Sequence, residues 1–339
     1  MTTPINKRSS NIELLRILAM FLVLVLHALN LAIGIPNQTQ CIASPGNAFI
    51  RLFLQSLSIV AVNVFILISG WFGIKPTLKK LISLMFQVFF FTISILLVSG
   101  IIRGFGNISP GSMLKSLMIT KSYWFVKSYI CLFILSPILN LFAEKADKRT
   151  FGLLLICFFV FQTIYGWTDS APEFNYGYSV IAFIGLYLLA RYLKMYPVRQ
   201  LSDRRLCFSA YLLLSLLLAL GVWTLIRVGF HTKHSIPVAF SYINPLVVLS
   251  SIALFFSFAN TEIPYSKTIN WLAVSAFSVY IIHINGYVFR YFKETVWHIY
   301  TTFPVFVRSV LILLFLMGVF LICVLLDKVR LTIWKAAQK

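Results

Sequence analysis

Charged residues are scarce in this 339-residue chain: Asp, Glu, Lys and Arg make up only 11% of it, while 60% of the residues are hydrophobic. Soluble proteins carry roughly 25% charged residues, so a soluble fold of this length could not cover its surface with the polar residues available. Intrinsic disorder is excluded because disordered chains are poor in apolar residues. Five cysteines without any C-x-x-C spacing indicate neither a disulfide scaffold nor a zinc or redox motif.

Acidic residues are the scarcest of the charged types. Nine Asp and Glu stand against 29 Lys and Arg, which gives a formal net charge of +20. In a soluble chain this balance would suggest a nucleic-acid partner, but here the basic residues separate long apolar runs. That distribution is typical of the positive-inside bias of multi-pass membrane proteins. The sequence therefore predicts an integral membrane protein with no nucleic-acid partner.

Several familiar catalytic motifs are also missing. The chain contains no Walker loop, no G-x-S-x-G nucleophile elbow, no H-E-x-x-H and no dinucleotide-binding glycine pattern. These absences disfavour a primary pump and the common soluble hydrolases, and we expect no metal site and no bound cofactor. The sequence shows no internal repeat and no matching pair of broken helices, which lowers the expectation of a secondary transporter.

Long apolar runs fill most of the chain. A membrane-spanning helix needs about 20 mostly apolar residues, and no loop between the runs is long enough to fold as a separate domain. Residues 1–339 are therefore predicted to form a single transmembrane domain, an all-α polytopic helix bundle of about ten transmembrane helices. The fifth of these is short and the ninth contains polar residues. The predicted spans are roughly 14–34, 52–74, 81–102, 123–143, 151–167, 178–195, 206–226, 239–259, 270–288 and 306–326.

The basic residues between these spans predict the orientation of the bundle. With the N-terminus inside, the cytoplasmic segments contain 18 Lys and Arg and the opposite face contains nine. Cytoplasmic loops carry the excess of basic residues in membrane proteins. We therefore expect both termini in the cytoplasm and a multi-pass protein of the cell membrane, in contact with membrane lipids.

The first span carries ionisable residues within an apolar helix. Arg16 and His27 are eleven residues apart, so they share one helix face and are separated by roughly 16 Å along the axis. Glu13 can pair with Arg16, and Asn30 lies at i+3 from His27. In one interpretation Arg16 reaches lipid headgroups and His27 bonds a neighbouring helix. An ionisable group at this depth is costly and usually faces a functional cavity, where a neutral imidazole can act as a general base.

The pattern of Arg16, ten intervening residues and His27 resembles the signature of the membrane acyltransferase-3 family. Three further segments resemble blocks of the same family in the same order. They are the Phe-rich segment 63–73 that ends on Ser-Gly-Trp-Phe-Gly, the block 123–140 that begins Tyr-Trp-Phe, and the Tyr-x-x-His motif within 277–283. The resemblance therefore covers nearly the whole chain, and the most similar subgroup modifies bacterial surface polysaccharides by O-acetylation.

The resemblance implies an acyltransferase that moves an acyl group, usually acetyl from acetyl-CoA, onto a sugar hydroxyl. The acceptor would be an envelope polysaccharide or a lipid-linked glycan, and acyl-CoA would be a donor co-substrate rather than a bound cofactor. By the same resemblance, His27 corresponds to the catalytic base and Arg16 to its essential partner near the donor. The sequence does not specify the oligomeric state.

One segment departs from the family pattern. Where the family often carries Arg-x-x-Arg at the start of the third span, this chain has Lys75, Lys79 and Lys80. Lysines can attract CoA phosphates as point charges but lack the planar fork of arginine. These three lysines are candidate donor-binding residues, and the alternative is that they only set the topology.

Four more residues are candidate acceptor-binding residues, each with a structural alternative. Ser69 could contact substrate or carry an acyl group, or could simply permit close helix packing. Trp124 could stack on a sugar or belong to an interfacial aromatic belt. Tyr280 and His283 share one helix face, where they could bind substrate or form an interhelical hydrogen bond.

A rival function from another class is a lipid-linked sugar translocase or polysaccharide exporter. Ten spans, aromatic outward loops and intramembrane Arg and His residues would suit it equally well. A translocase, however, needs no base at one fixed depth and should carry polar residues along several spans. Here most spans other than the first, second and ninth are nearly free of ionisable groups, which favours the enzyme.

Overall fold

The computed structural model describes residues 9–107, 110–111, 114, 123–230 and 235–336. Within this part of the chain the regular elements are helical and no β-strand is present, which confirms the all-α prediction. The α-helices, numbered in chain order, are α1 (Ser10–His27), α2 (Gln38–Ala43), α3 (Pro45–Ser58), α4 (Ala61–Phe72), α5 (Leu78–Arg103), α6 (Trp124–Lys145), α7 (Lys148–Phe161), α8 (Val180–Met195), α9 (Arg204–Arg227), α10 (Ser235–Ala239), α11 (Pro245–Ala259), α12 (Lys267–Ala273), α13 (Ala276–His283), α14 (Gly286–Thr302) and α15 (Val305–Ala336).

Several stretches of helix are long enough to cross a membrane. Seven described stretches combine sufficient length with high hydropathy, so the protein is a multi-pass membrane protein. The fifth predicted span is among them, because a π-helical segment, Gln162–Thr168, extends α7 to 21 residues. The seven stretches are Ser10–Ile33, Pro45–Phe72, Leu78–Ile102, Trp124–Lys145, Lys148–Thr168, Arg204–Arg227 and Val305–Ala336.

The remaining predicted spans are also helical but less regular. The sixth corresponds to α8, and the eighth is an apolar helix of only 15 residues, α11. The ninth is not one straight helix: α12 and α13 are followed by α14 at an angle of 88°. The chain turns there because the Asn285 side chain accepts a hydrogen bond from the Tyr287 N–H and so begins a new helix. The count of ten spans remains a prediction.

Helix α1 lies inside the bundle and ends at His27. It packs against α3, α4, α11, α12, α13 and α15, and Leu15, Ala19 and Leu24 are fully buried. After His27 the backbone continues as a π-helical segment, Ala28–Ile33, which ends at Gly34. Short π-helical segments within helices are frequent at functional sites, so the change of helix type directly after His27 draws attention to this residue.

Candidate active site

The structure brings two histidines together from opposite ends of the chain. His27, the last residue of α1, lies with its Nδ1 atom 2.7 Å from Nε2 of His283, although 256 residues separate them in sequence. His283 is the last residue of α13, and its Nδ1 atom lies 2.5 Å from the carbonyl oxygen of Val279, one turn earlier in the same helix. The result is a continuous hydrogen-bonded row from a backbone carbonyl through His283 to His27.

The end of α13 is held in place by polar contacts from neighbouring elements. The hydroxyl of Tyr123 donates a hydrogen bond to the carbonyl oxygen of Ile281 at 3.1 Å, and the Asn285 amide donates to the same hydroxyl at 3.1 Å. His283 itself is fully buried, and its ring packs against Phe292 at a centroid distance of 5.7 Å. These contacts fix the position of His283 relative to the start of α6.

His27 lies on the wall of a cavity inside the helix bundle. The cavity has a volume of about 390 Å³, and the described residues that line it include no Lys, Arg, Asp or Glu. His27 is only partly buried, and Phe289 of α14 contacts its ring edge to face at 6.0 Å. Besides His27, the lining is Met20, Val23, Leu26, Asn30, Leu31, Ile59, Val62, Phe65, Trp124, Phe125, Tyr178, Phe240, Tyr242, Phe277, Tyr280, Ile284, Gly286 and Phe289.

Aromatic rings form one wall of this cavity. Trp124 stacks on Tyr242 with a centroid distance of 5.7 Å and an interplanar angle of 28°. Tyr178 packs beside both rings, 4.4 Å from Trp124 and 5.1 Å from Tyr242. Rings from the starts of α6, α8 and α11 thus meet at one point. Such a surface is suited to stacking against the apolar face of a ring-shaped ligand.

The acceptor-binding candidates fall in different places. Trp124 and Tyr280 line the cavity together with His27, and their contact with the acceptor stays a prediction. His283 lies behind His27 instead of on this wall. Ser69 is outside the lining, and its hydroxyl donates to the carbonyl oxygen of Phe65 one turn earlier at 2.9 Å. This bond favours the structural alternative for Ser69.

Arg16 lies away from the cavity. Its Nη1 atom is 2.8 Å from the Glu13 carboxylate, as the i, i+3 spacing predicted. Glu13 is buried, while the Arg16 side chain is about one-third exposed (31%). Arg16 therefore belongs to the opposite end of α1 from His27. Its proposed position near the donor stays a prediction.

The three candidate donor-binding lysines lie in and after the loop that joins α4 to α5. Lys75, Lys79 and Lys80 are exposed, and the Lys80 ammonium donates to the carbonyl oxygen of Lys75 at 2.8 Å. The cavity lies at the N-terminal end of α4, and the lysines follow its C-terminal end. Their side chains are therefore far from His27 along the bundle.

Side chains of α6 and α8 hold this loop in position. The Tyr187 hydroxyl donates to the Asn140 side-chain oxygen at 2.6 Å and accepts from the Ile74 N–H at 2.9 Å. The Asn140 amide in turn donates to the carbonyl oxygen of Ile74 at 2.8 Å. Arg191 lies beside the loop, against Gly73. These bonds hold the backbone of the loop that carries the basic side chains in a fixed position.

Some residues of the site were not predicted. Tyr242 and Phe289 line the cavity, and Tyr187 holds the basic loop, but no short motif surrounds any of them in the sequence. Tyr242 follows Phe240 at the start of an apolar run, where aromatic residues are ordinary membrane-interface residues. Only the packing of distant segments brings them to the cavity and to the loop.

Comparison with known proteins supports one family. A family model described as an acyltransferase domain matches residues 9–328, which is nearly the whole chain. No curated protein and no solved structure matches the chain.

Proposed function

The chain belongs to the membrane acyltransferase-3 family, and on that premise we propose that it is an O-acyltransferase, most simply an O-acetyltransferase. The acyl group comes from acyl-CoA, with acetyl-CoA as the simplest donor. The acceptor is a hydroxyl of a sugar in a cell-surface or lipid-linked polysaccharide. A partly buried histidine on the wall of a cavity inside a membrane bundle is the observation that carries this proposal.

The reaction needs a base that activates the sugar hydroxyl, and His27 can fill this role. His27 removes the proton from the sugar hydroxyl, and the resulting oxygen attacks the thioester carbonyl carbon. The new C–O bond forms as the C–S bond breaks, and the CoA thiolate takes the proton back from His27. A positioned base of this kind contributes roughly 10²–10⁴ in rate. Atoms and charge balance without a covalent acyl-enzyme, so the reaction needs no nucleophile such as Ser69.

The cavity supports a sugar as acceptor. The lining is aromatic on one side and carries His27, and no Lys, Arg, Asp or Glu of the described chain lines it. A sugar ring can stack its apolar face on Trp124 and Tyr242 while a hydroxyl points to His27. An anionic group placed here would lose hydration without gaining a Lys or Arg partner among the described lining residues. The acceptor unit is therefore uncharged at the site of transfer.

Mass spectrometry of the surface polysaccharide from cells with and without this protein tests the function. We expect the acyl content of the glycan to fall when the protein is absent. An unchanged acyl content, together with a change in the amount of glycan at the surface, would instead support the translocase.

Substitution of His27 tests the assignment of the base. His27→Ala should lower acyl transfer about 10²–10⁴-fold in membranes with matched protein levels, and His27→Gln should fail almost as badly because an amide is a far weaker base. His298→Ala, which changes an exposed histidine of α14, is the matched control and should leave transfer unchanged. Near-normal transfer by His27→Gln would contradict the general-base role.

A further inference from the structure

We propose that His283 is the positioning residue of the reaction: it fixes the tautomer of His27, so that Nε2 of His27 is the basic atom presented to the cavity. This inference rests on the proposed acyl transfer and adds a role for a residue that does not touch the substrate. The structural feature that carries it is the row Val279 carbonyl, His283, His27, with separations of 2.5 Å and 2.7 Å.

The first step concerns the proton on His283. A backbone carbonyl oxygen can only accept a hydrogen bond, so the Nδ1 atom of His283 must carry the hydrogen that faces Val279. A neutral imidazole carries one N–H hydrogen. Nε2 of His283 therefore carries no hydrogen, and its lone pair faces His27.

The second step is to infer which nitrogen of His27 carries the hydrogen. Because Nε2 of His283 is an acceptor, Nδ1 of His27 must donate across the 2.7 Å separation. The hydrogen of neutral His27 is thus on Nδ1, and Nε2 on the other edge of the ring holds the free lone pair. His27 lines the cavity, and because its Nδ1 edge is turned to His283, the Nε2 edge is the one left to face the cavity. Without a partner, the imidazole could place its hydrogen on either nitrogen, and only one arrangement is a base toward the substrate.

The surroundings of His283 oppose the reverse polarity. For His283 to donate to His27 it would have to carry hydrogens on both nitrogens, which makes it a cation. His283 is fully buried beside Tyr280, Phe289 and Phe292, and its described contacts include no carboxylate. A buried cation without a counter-ion is strongly unfavourable. The neutral form, and with it the direction of the whole row, is therefore favoured.

The positions of the two residues suit this division of roles. His27 lies on the cavity wall where the backbone changes from an α-helix to a π-helix, so its ring has open space on one side. His283 is enclosed, and the bonds among Tyr123, Ile281 and Asn285 hold the end of its helix. An immobile acceptor orients a partly exposed base, in the way that outer partners orient a ligating or catalytic histidine.

Two substitutions at His283 separate positioning from packing. In His283→Gln the side-chain oxygen reaches about as far as Nε2 of histidine and can still accept from His27. In His283→Asn the shorter side chain can bond the Val279 carbonyl but falls short of His27. We expect His283→Asn to lower kcat about 10- to 100-fold, the scale of a misplaced catalytic group, with KM for acetyl-CoA and for the acceptor unchanged. His283→Gln should stay within a few-fold of the unmodified protein.

The assay uses membranes with matched protein levels, radiolabelled acetyl-CoA, and unacylated glycan extracted from cells that lack the protein. Normal kcat in His283→Asn, failure of Gln to restore kcat, or a rise in acceptor KM at constant kcat would each overturn the positioning role. The double variant His27→Gln/His283→Asn gives a second measurement. It should be no slower than His27→Gln alone, because His283 acts only through the base, and a further loss would contradict the inference.

The same assay separates failure of this inference from failure of the proposed function. No acyl transfer by the unmodified protein, or full transfer by His27→Ala, would contradict the enzyme itself. Loss of transfer in His27→Ala with normal transfer in His283→Asn would leave the enzyme intact and remove only the positioning role.

Discussion

At the scale of single residues, both buried carboxylates of the described chain pair with arginines. Glu13 pairs with Arg16, and Asp327 pairs with Arg330 through a 2.6 Å contact in which both side chains are buried. Pairing of this kind is what makes a buried charge tolerable. His27 differs, because its partner is a second imidazole. A neutral imidazole needs no counter-ion, and the neutral form is the one that can act as a base.

Trp124 provides a test of the aromatic wall. Trp124→Ala removes the ring that stacks on Tyr242 and should raise KM for the acceptor about 2- to 10-fold, which corresponds to the loss of about 0.5–1.5 kcal/mol from one ring contact. The KM for acyl-CoA should change less. The measurement is initial-rate kinetics with extracted unacylated glycan.

The control for this change is Trp297→Ala, which alters a half-exposed tryptophan of α14 outside the cavity. It should leave both KM values unchanged. If Trp124→Ala left the acceptor KM unchanged as well, Trp124 would belong to an interfacial belt instead of the binding site.

At the scale of elements, the contact between α4 and α8 positions both the cavity and the basic loop. Gly70 makes this contact possible, because a Cβ atom at that position would collide with the backbone carbonyl oxygen of Tyr187. Small residues allow this close approach of membrane helices. The Ser-Gly of the second span is thus explained by packing.

Gly70→Ala should therefore lower the free energy of unfolding by about 1–3 kcal/mol, as overpacking does. Thermal unfolding of the purified protein in detergent measures the effect. Gly318→Ala is the matched control: Gly318 lies in α15 with open space where its Cβ would be, so alanine there should be neutral or slightly stabilising. An equal change in the free energy of unfolding for the two variants would contradict a requirement for close α4–α8 packing at Gly70.

The loop after α4 tests the donor side. If Lys75, Lys79 and Lys80 attract CoA phosphates, changing all three to Gln should raise KM for acyl-CoA, and the difference should shrink at high salt because exposed charges are screened. The control removes three exposed charges from another predicted cytoplasmic segment, Lys145, Lys148 and Arg149. A normal KM for acyl-CoA in correctly inserted protein would show that the three lysines only set the topology.

At the scale of the whole molecule, the orientation of the bundle decides which end meets which substrate. In the predicted orientation the lysine loop faces the cytoplasm, where acyl-CoA is found, and the cavity lies toward the other side of the membrane. Helix α1 connects the two ends, with the Arg16 pair near one and His27 near the other. If the proposed function holds, this arrangement links a cytoplasmic donor with an envelope acceptor.

A reporter fused after Lys339 tests this orientation. The tail should lie inside because 18 of the Lys and Arg residues fall in the predicted cytoplasmic segments and nine in the outward ones. The reporter should therefore be active only in the cytoplasm, and a second fusion after Thr302 should be active only outside. The opposite result would overturn the ten-span count, most simply at the broken ninth span.

The sequence by itself determined the membrane class, the helical composition, the family and the catalytic candidate His27. These are local properties: apolar runs of sufficient length, basic residues between them, and residues at fixed spacing along one helix. Arg16 and Glu13 pair as their spacing required. The predicted ninth span, 270–288, runs across Asn285, where the structure begins a new helix, because apolar residues lie on both sides of the turn.

Only the tertiary structure decided what surrounds His27. Its partner His283 is 256 residues away, and the cavity wall joins Trp124, Tyr178 and Tyr242 from three distant segments of the chain. Which helices lie side by side depends on many small packing contacts, such as the one at Gly70, and on hydrogen bonds between distant segments. Periodicity within one helix carries no information about these choices, so the sequence could point to His27 as a candidate base but could not predict its orientation or the residues around it.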